Sequence, residues 1–89
     1  MKGRTRAALL ANAHHLSPTV HLGAQGITEP LVQSLDDALR ARELVKVKVG
    51  KGSGLSVREA AAELADRVRG EVIQVIRRTF TLYRERPAE

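Results

Sequence analysis

The chain has 89 residues, 43% of them apolar, and carries 15 Lys and Arg against 10 Asp and Glu, a net charge of +5 at pH 7. That length holds one domain near the lower limit for an unaided core, and the apolar share excludes wholesale disorder. The absence of cysteine excludes disulfides and thiolate chemistry, while the positive balance points to an acidic partner, nucleic acid or an anionic membrane surface, against the alternative of a solvated charged coat.

In chain order, Met1 to Arg6 is basic, Ala7 to Ala11 is apolar, and Ala11-Asn12-Ala13 imitates a cleavage site. An apolar run of about five residues is shorter than the roughly 7–15 of a signal-peptide core. No stretch approaches the length of a membrane span, so a cytoplasmic protein with no membrane partner is expected. Residues 5 to 15 read as a helix with a thin stripe of Leu9, Leu10, Ala13 and Leu16, ended by Ser17-Pro18. Lys2, Arg4 and Arg6 stand before or at its start, where the helix dipole disfavours cations. Either this end frays or the charges serve a partner.

Thr19 to Leu22 reads as a short strand. Next comes Gly23-Ala24-Gln25-Gly26, a G-x-x-G loop, and then a helix capped by Thr28 with Pro30 in its first turn. Ile27 and Val32 occupy the positions of a hydrophobic staple, and Leu31, Leu35, Ala38 and Leu39 form the apolar stripe of a helix ending near Arg42. Glycines let backbone turn sharply and approach a polyanion closely, and a helix start adds free amides. This loop is either a nucleic-acid contact, with Gln25 and Thr28 adding side-chain hydrogen bonds, or a tight connection in which Thr28 only caps.

Leu44 to Val49 alternates, with Val45, Val47 and Val49 on one face and Leu44, Lys46 and Lys48 on the other. Lys46 and Lys48 therefore lie on a solvated sheet face or one turned to an anionic partner. Gly50 to Gly54 reads as a flexible loop that adds one cation; it lacks the spacing of a phosphate-binding P-loop. Ser56 and Glu59 predict a capping box for a third helix, with a stripe of Val57, Ala60, Ala61, Leu64, Ala65 and Val68 and Gly70 as its stop. Val72 to Ile76 and Thr79 to Arg84 read as strands joined at Arg77-Arg78. These two arginines reach outward from a turn that is solvated or RNA-contacting. Tyr83 alternates away from Phe80 and Leu82 and could stack on a base, but one Tyr and one Phe are too few for a stacking platform. Backbone electrostatics and shape are the expected mechanism.

The predicted fold is a two-layer α/β domain of order αβαβαββ with a four-stranded mixed sheet. It occupies residues 1–89 with a core from about 5 to 84. His14, His15 and His21 have no suitably spaced Cys or carboxylate, so no metal is expected. No nucleophile–base–acid set can be assembled, so neither a cofactor nor an enzyme is expected.

The element order, with "LSPTVHLGAQGITEPLV", "ELVKVKV" and "VIQVIRRTFTLYR", resembles the CRM domain, above all its stand-alone bacterial YhbY-type RNA-binding form. The resemblance covers about Leu9 to Arg84. It implies an RNA-binding domain with a fold similar to the C-terminal domain of translation initiation factor three. It also implies association with precursors of the large ribosomal subunit, with Gly23-Ala24-Gln25-Gly26 as the family's loop. The family commonly has a glycine in the last hairpin turn, where this chain has Arg77-Arg78. The reading from a second class is a basic adaptor docking on an acidic protein. A monomer is expected.

Overall fold

The computed structural model describes residues 6–13 and 15–85. In chain order these form α1 (Arg6–Ala13), β1 (Val20–Leu22), α2 (Glu29–Arg42), β2 (Leu44–Val49), a 3-10 turn (Lys51–Ser53), α3 (Val57–Val68), β3 (Glu71–Ile76) and β4 (Thr79–Tyr83). The order is the predicted αβαβαββ. The strands make one sheet in the order β1-β2-β4-β3. β1 runs parallel to β2, while β4 is antiparallel to both β2 and β3, so the sheet is mixed.

α2 and α3 start where the sequence places caps. Thr28 Oγ1 accepts from the Leu31 amide at 3.3 Å, which satisfies one of the free donors at the start of α2. At α3 both halves of the capping box form: Glu59 N donates to Ser56 Oγ at 3.0 Å, and Ser56 N donates to Glu59 Oε1 at 3.1 Å. The end of α3 differs by one residue from the expectation. Arg69, not Gly70, takes the left-handed conformation, with φ 58°. Gly70 follows in ordinary contact with its surroundings. A Cβ there would lie 3.4 Å from both the Tyr83 carbonyl oxygen and Val68 Cγ2.

One sheet face is dry. Val20, Leu22, Val45, Val47, Val49, Phe80 and Leu82 pack with Leu35 and Leu39 of α2 and Ala60, Ala61, Leu64 and Val68 of α3. At one end of the opposite face, Leu9 of α1 sits with Leu44, Ile73 and Tyr83, flanked by Leu10 and Leu16. α1 thus adds a partial cover to the two-layer body. A register shift between Val72 and Gln74 accompanies the place of Ile73 in that cluster. Leu44, which shares its strand face with Lys46 and Lys48, is buried beneath α1.

Just past β4, Arg84 ties the layers together. Its Nη1 donates to Asp36 Oδ1 at 2.7 Å and to the Val68 carbonyl at 2.8 Å, and its Nη2 donates to the Asp36 carbonyl at 3.1 Å. One guanidinium therefore links the sheet to α2 and α3. Among the described residues, no helix is long and apolar enough to cross a membrane.

The open end of the second sheet face lies where β1 and β2 finish and β4 begins. Leu22 pairs with Val49 there, and Lys48 pairs with Thr79. Three loops meet at this end.

Candidate nucleic-acid interface

The first loop hangs from Leu22, which is buried in the core. The Gly26 amide donates to the Gly23 carbonyl at 3.0 Å and closes a four-residue turn. Gly26 has φ 72°, a conformation that costs an L side chain about 1–2 kcal/mol. Ala24 and Gln25 form the exposed tip.

The second loop is fastened to the first. The Gly50 amide donates to the Leu22 carbonyl at 2.8 Å. A Cβ on Gly50 would stand 3.0 Å from that oxygen, and one on Gly52 would lie 3.7 Å from Ala24 Cβ. The stretch expected to be flexible is therefore a packed 3-10 turn, and Gly50 is the residue at which backbone closes on backbone. It is braced by Ser53 N donating to the Gly50 carbonyl and by Leu55 N donating to Ser53 Oγ, each at 3.2 Å. Lys51 is exposed at its start.

The third loop is the β3–β4 turn. Ile76 pairs with Thr79, so only Arg77 and Arg78 lie between the strands. Arg77 has φ 54° and its side chain is exposed. Arg78 Nε donates to the Val49 carbonyl at 2.9 Å and its Nη2 to the Gly50 carbonyl at 3.0 Å. Its own carbonyl accepts from Val49 N at 2.7 Å. This corrects the expectation that both arginines reach outward. The Arg78 guanidinium thus pins the hairpin tip to the Val49 and Gly50 carbonyls at the end of β2.

Around these loops the charge is one-sided. His21, Lys48, Thr79 and Ile76 form a cross-strand row on the open face. Lys48 is exposed, and Lys46, one row back beside Thr81, is half-buried. Among the described residues, Lys46, Lys48, Lys51 and Arg77 take part in no ion pair. No Asp or Glu occurs in residues 1–28, 44–58 or 72–84. α2 and α3 each carry one more acid than base, so the positive balance of the chain comes from outside these two helices. Between the first loop and the outer side of α2 runs an open groove of about 400 Å³, whose walls include His21, Gln25, Thr28, Leu31 and Ser34.

Residues 1–84 match the family model described as the CRS1 / YhbY (CRM) domain. The chain belongs to this family. It is 32% identical over 85 residues to the Bacillus subtilis protein named "Probable RNA-binding protein YqeI", covering 96% of this chain and 88% of that one. It is 38% identical over 88 residues to a Methanocaldococcus jannaschii protein also named a probable RNA-binding protein, covering 97% of this chain and 65% of the archaeal one. A Haemophilus influenzae protein named "RNA-binding protein" is 33% identical over 72 residues, which is 81% of this chain and 73% of that protein. The fold is similar to the solution structure of a hypothetical Staphylococcus aureus protein, with TM-score 0.75 and 32% identity over 99% of this chain and 92% of that one. These relatives bear the names of RNA-binding proteins, not of enzymes.

In this CRM domain the loops bring Gly23, Ala24, Gln25, Gly26, Lys48 and Arg77 to one end. Thr28 borders the same groove, and its hydroxyl, though accepting from Leu31 N, keeps a proton to donate. Arg78 is braced inward, and Lys46 stands behind Lys48. Arg4 and the side chain of Arg6 lie outside the described residues. Tyr83 is 3% exposed beneath α1, so the CRM sheet does not offer it to a base. Among the described residues, no group of three or more His, Cys, Asp or Glu is placed to hold a metal ion. Lys51 and His21, which were not among the expected contact residues, lie at the same end. The glycines on either side of Lys51 were the available signal, since a cation between two residues without Cβ is presented on a tight turn.

Proposed function

We propose that this CRM domain binds RNA through the end of the molecule where its three loops meet. It acts in the cytoplasm as a monomer on ribosomal RNA during assembly of the large subunit. The observation that carries the reading is the convergence of the Gly23–Gly26 turn with Lys48, Lys51 and Arg77, all on sequence stretches that carry no Asp or Glu. Backbone that can come close to a phosphate and cations free of protein partners are the two things a polyanion requires. The names of the relatives support RNA as the polymer. The family resemblance supports large-subunit precursors as its source. Binding is non-covalent: lysines and arginine neutralise phosphates while the glycine turn lies against the strand, holding an RNA segment in a shape competent for assembly.

Sedimentation of a cell lysate tests this reading. At low salt the protein is expected at or just below the mature large subunit and depleted from polysomes. Raised salt should release it to the top of the gradient, because exposed ionic contacts are screened. Recovery chiefly with the small subunit, or at the top even at low salt, contradicts the assembly role. In the latter case, capture of an acidic protein after nuclease treatment establishes an adaptor instead.

A further inference from the structure

His21 stands where two surfaces meet. It lies on the exposed sheet face opposite Lys48 in the parallel register, one residue before the buried Leu22 that carries the glycine turn. It also lines the groove beside that turn. Pro30 and Leu31 give the groove an apolar portion, while Gln25, Thr28 and Ser34 supply hydrogen-bonding groups. Its volume of about 400 Å³ falls within the ~300–1,000 Å³ of small-ligand sites. Glu29, the acid nearest the loop in sequence, pairs at 3.3 Å with Arg67 of α3. Among the described residues, no acidic side chain lines the groove.

We infer that this groove takes one unstacked nucleotide of a single-stranded RNA, with its phosphate at the Gly23–Gly26 turn and its base against the His21 imidazole. The inference rests on the proposed RNA binding and deepens it by selecting the form of RNA. An imidazole is a π surface that stacks on bases, as Phe, Tyr and Trp do. It supplies the contact that the buried Tyr83 cannot. Lys48, the cross-strand neighbour of His21, adds charge for the adjoining phosphate. An A-form duplex keeps its bases stacked and out of reach of such a groove. The site therefore selects a loop, bulge or free end over a helix stem. The mixed lining favours no single base, because every base has a π face.

The test uses the full chain, with short single-stranded RNAs carrying 2-aminopurine at each position in turn and a blunt duplex of the same sequence. The wild type should bind the single strand at least about fivefold tighter than the duplex and change the fluorescence of 2-aminopurine at a subset of positions. His21→Ala should weaken single-strand binding about five- to tenfold, leave duplex binding within about twofold, and abolish the fluorescence change. His21→Phe should restore both. Unchanged thermal melts of these exposed-site variants verify the fold. Equal binding of strand and duplex, or a His21→Ala variant that binds the strand as the wild type does, overturns the inference. If Ala24→Asp with Gln25→Asp abolishes binding while His21→Ala is indifferent, this inference fails and the proposed RNA binding stands. A wild type that binds neither RNA overturns both.

Discussion

Two arginines show how different the work of one residue type can be. Arg84 is half-buried and spends its donors on Asp36 and the Val68 carbonyl. Its hydrogen bond to Asp36, with its charge and that of Arg40 at 3.2 Å, holds the Asp36 carboxyl below the usual aspartate range, although partial burial opposes this. A folded-state pKa that is depressed contributes stability present above the unfolded value, about 3.9 for aspartate, and lost as pH falls through the folded value. Asp36→Asn is therefore expected to cost about 1–3 kcal/mol at neutral pH. The gap from wild type should narrow on acidification below about pH 4, as read by denaturant unfolding at a series of pH values. Arg77 is the opposite case, exposed and held at φ 54° without being glycine. Arg77→Gly removes about 1–2 kcal/mol of backbone strain but gives back roughly 0.5–1 kcal/mol of chain entropy. The variant should melt a few degrees higher. It should also bind RNA with a smaller salt slope, by roughly 0.7–0.9, since one cation is gone. A higher melting temperature with an unchanged slope removes Arg77 from the interface.

The glycine turn belongs to the scale of elements, because its shape depends on two of them. Leu22 anchors one side through the core, and Gly50 reaches the Leu22 carbonyl from the other. Ala24 and Gln25 at the tip touch the solvent. Ala24→Asp with Gln25→Asp leaves the glycines and their hydrogen bonds in place while setting two negative charges where a phosphate would lie. Each lost charge-assisted contact is worth about 1.5–3 kcal/mol. RNA affinity should therefore fall at least about tenfold with little change in melting temperature. Equal affinity in a filter-binding titration would leave the turn as a mere connection. Elements such as α2 and α3 were legible in the sequence because caps and stripes are local. So was the alternation of β2, whose Val45, Val47 and Val49 meet the core. The mutual packing of Gly50 and Gly52 against Leu22 and Ala24 was not, since it joins segments more than twenty residues apart in sequence. For the same reason the inward turn of Arg78 and the burial of Tyr83 by α1 were hidden. Strand periodicity says which face a side chain takes, not what covers that face.

At the scale of the molecule, Lys48, Lys51 and Arg77 are exposed at the loop end, and among the described residues the sheet offers no Phe, Tyr or Trp to solvent there. Affinity for RNA should therefore be mainly ionic. Neutralising roughly three to six phosphates predicts a log–log salt slope of about −2 to −4 on single strands. Fluorescence anisotropy between low and moderate salt checks this. A nearly flat dependence would mean that base contacts dominate over the charge on Lys48, Lys51 and Arg77. The groove beside His21 is expected to add form selectivity on top of that slope, not to replace it.

The uneven placement of charge has a kinetic consequence as well. With α2 and α3 each carrying one more acid than base and Lys48, Lys51 and Arg77 exposed without ion pairs at the loop end, the molecule is an electric dipole as well as a cation. In the field of a polyanion such a body feels a torque as well as a pull. It tumbles toward its loop end before touching, and fewer collisions are wasted on the helical side. Reversing the charge of an acidic surface residue on α2 or α3 would blunt that alignment, while the lifetime of the complex, set by groups at the loop end, would hardly change.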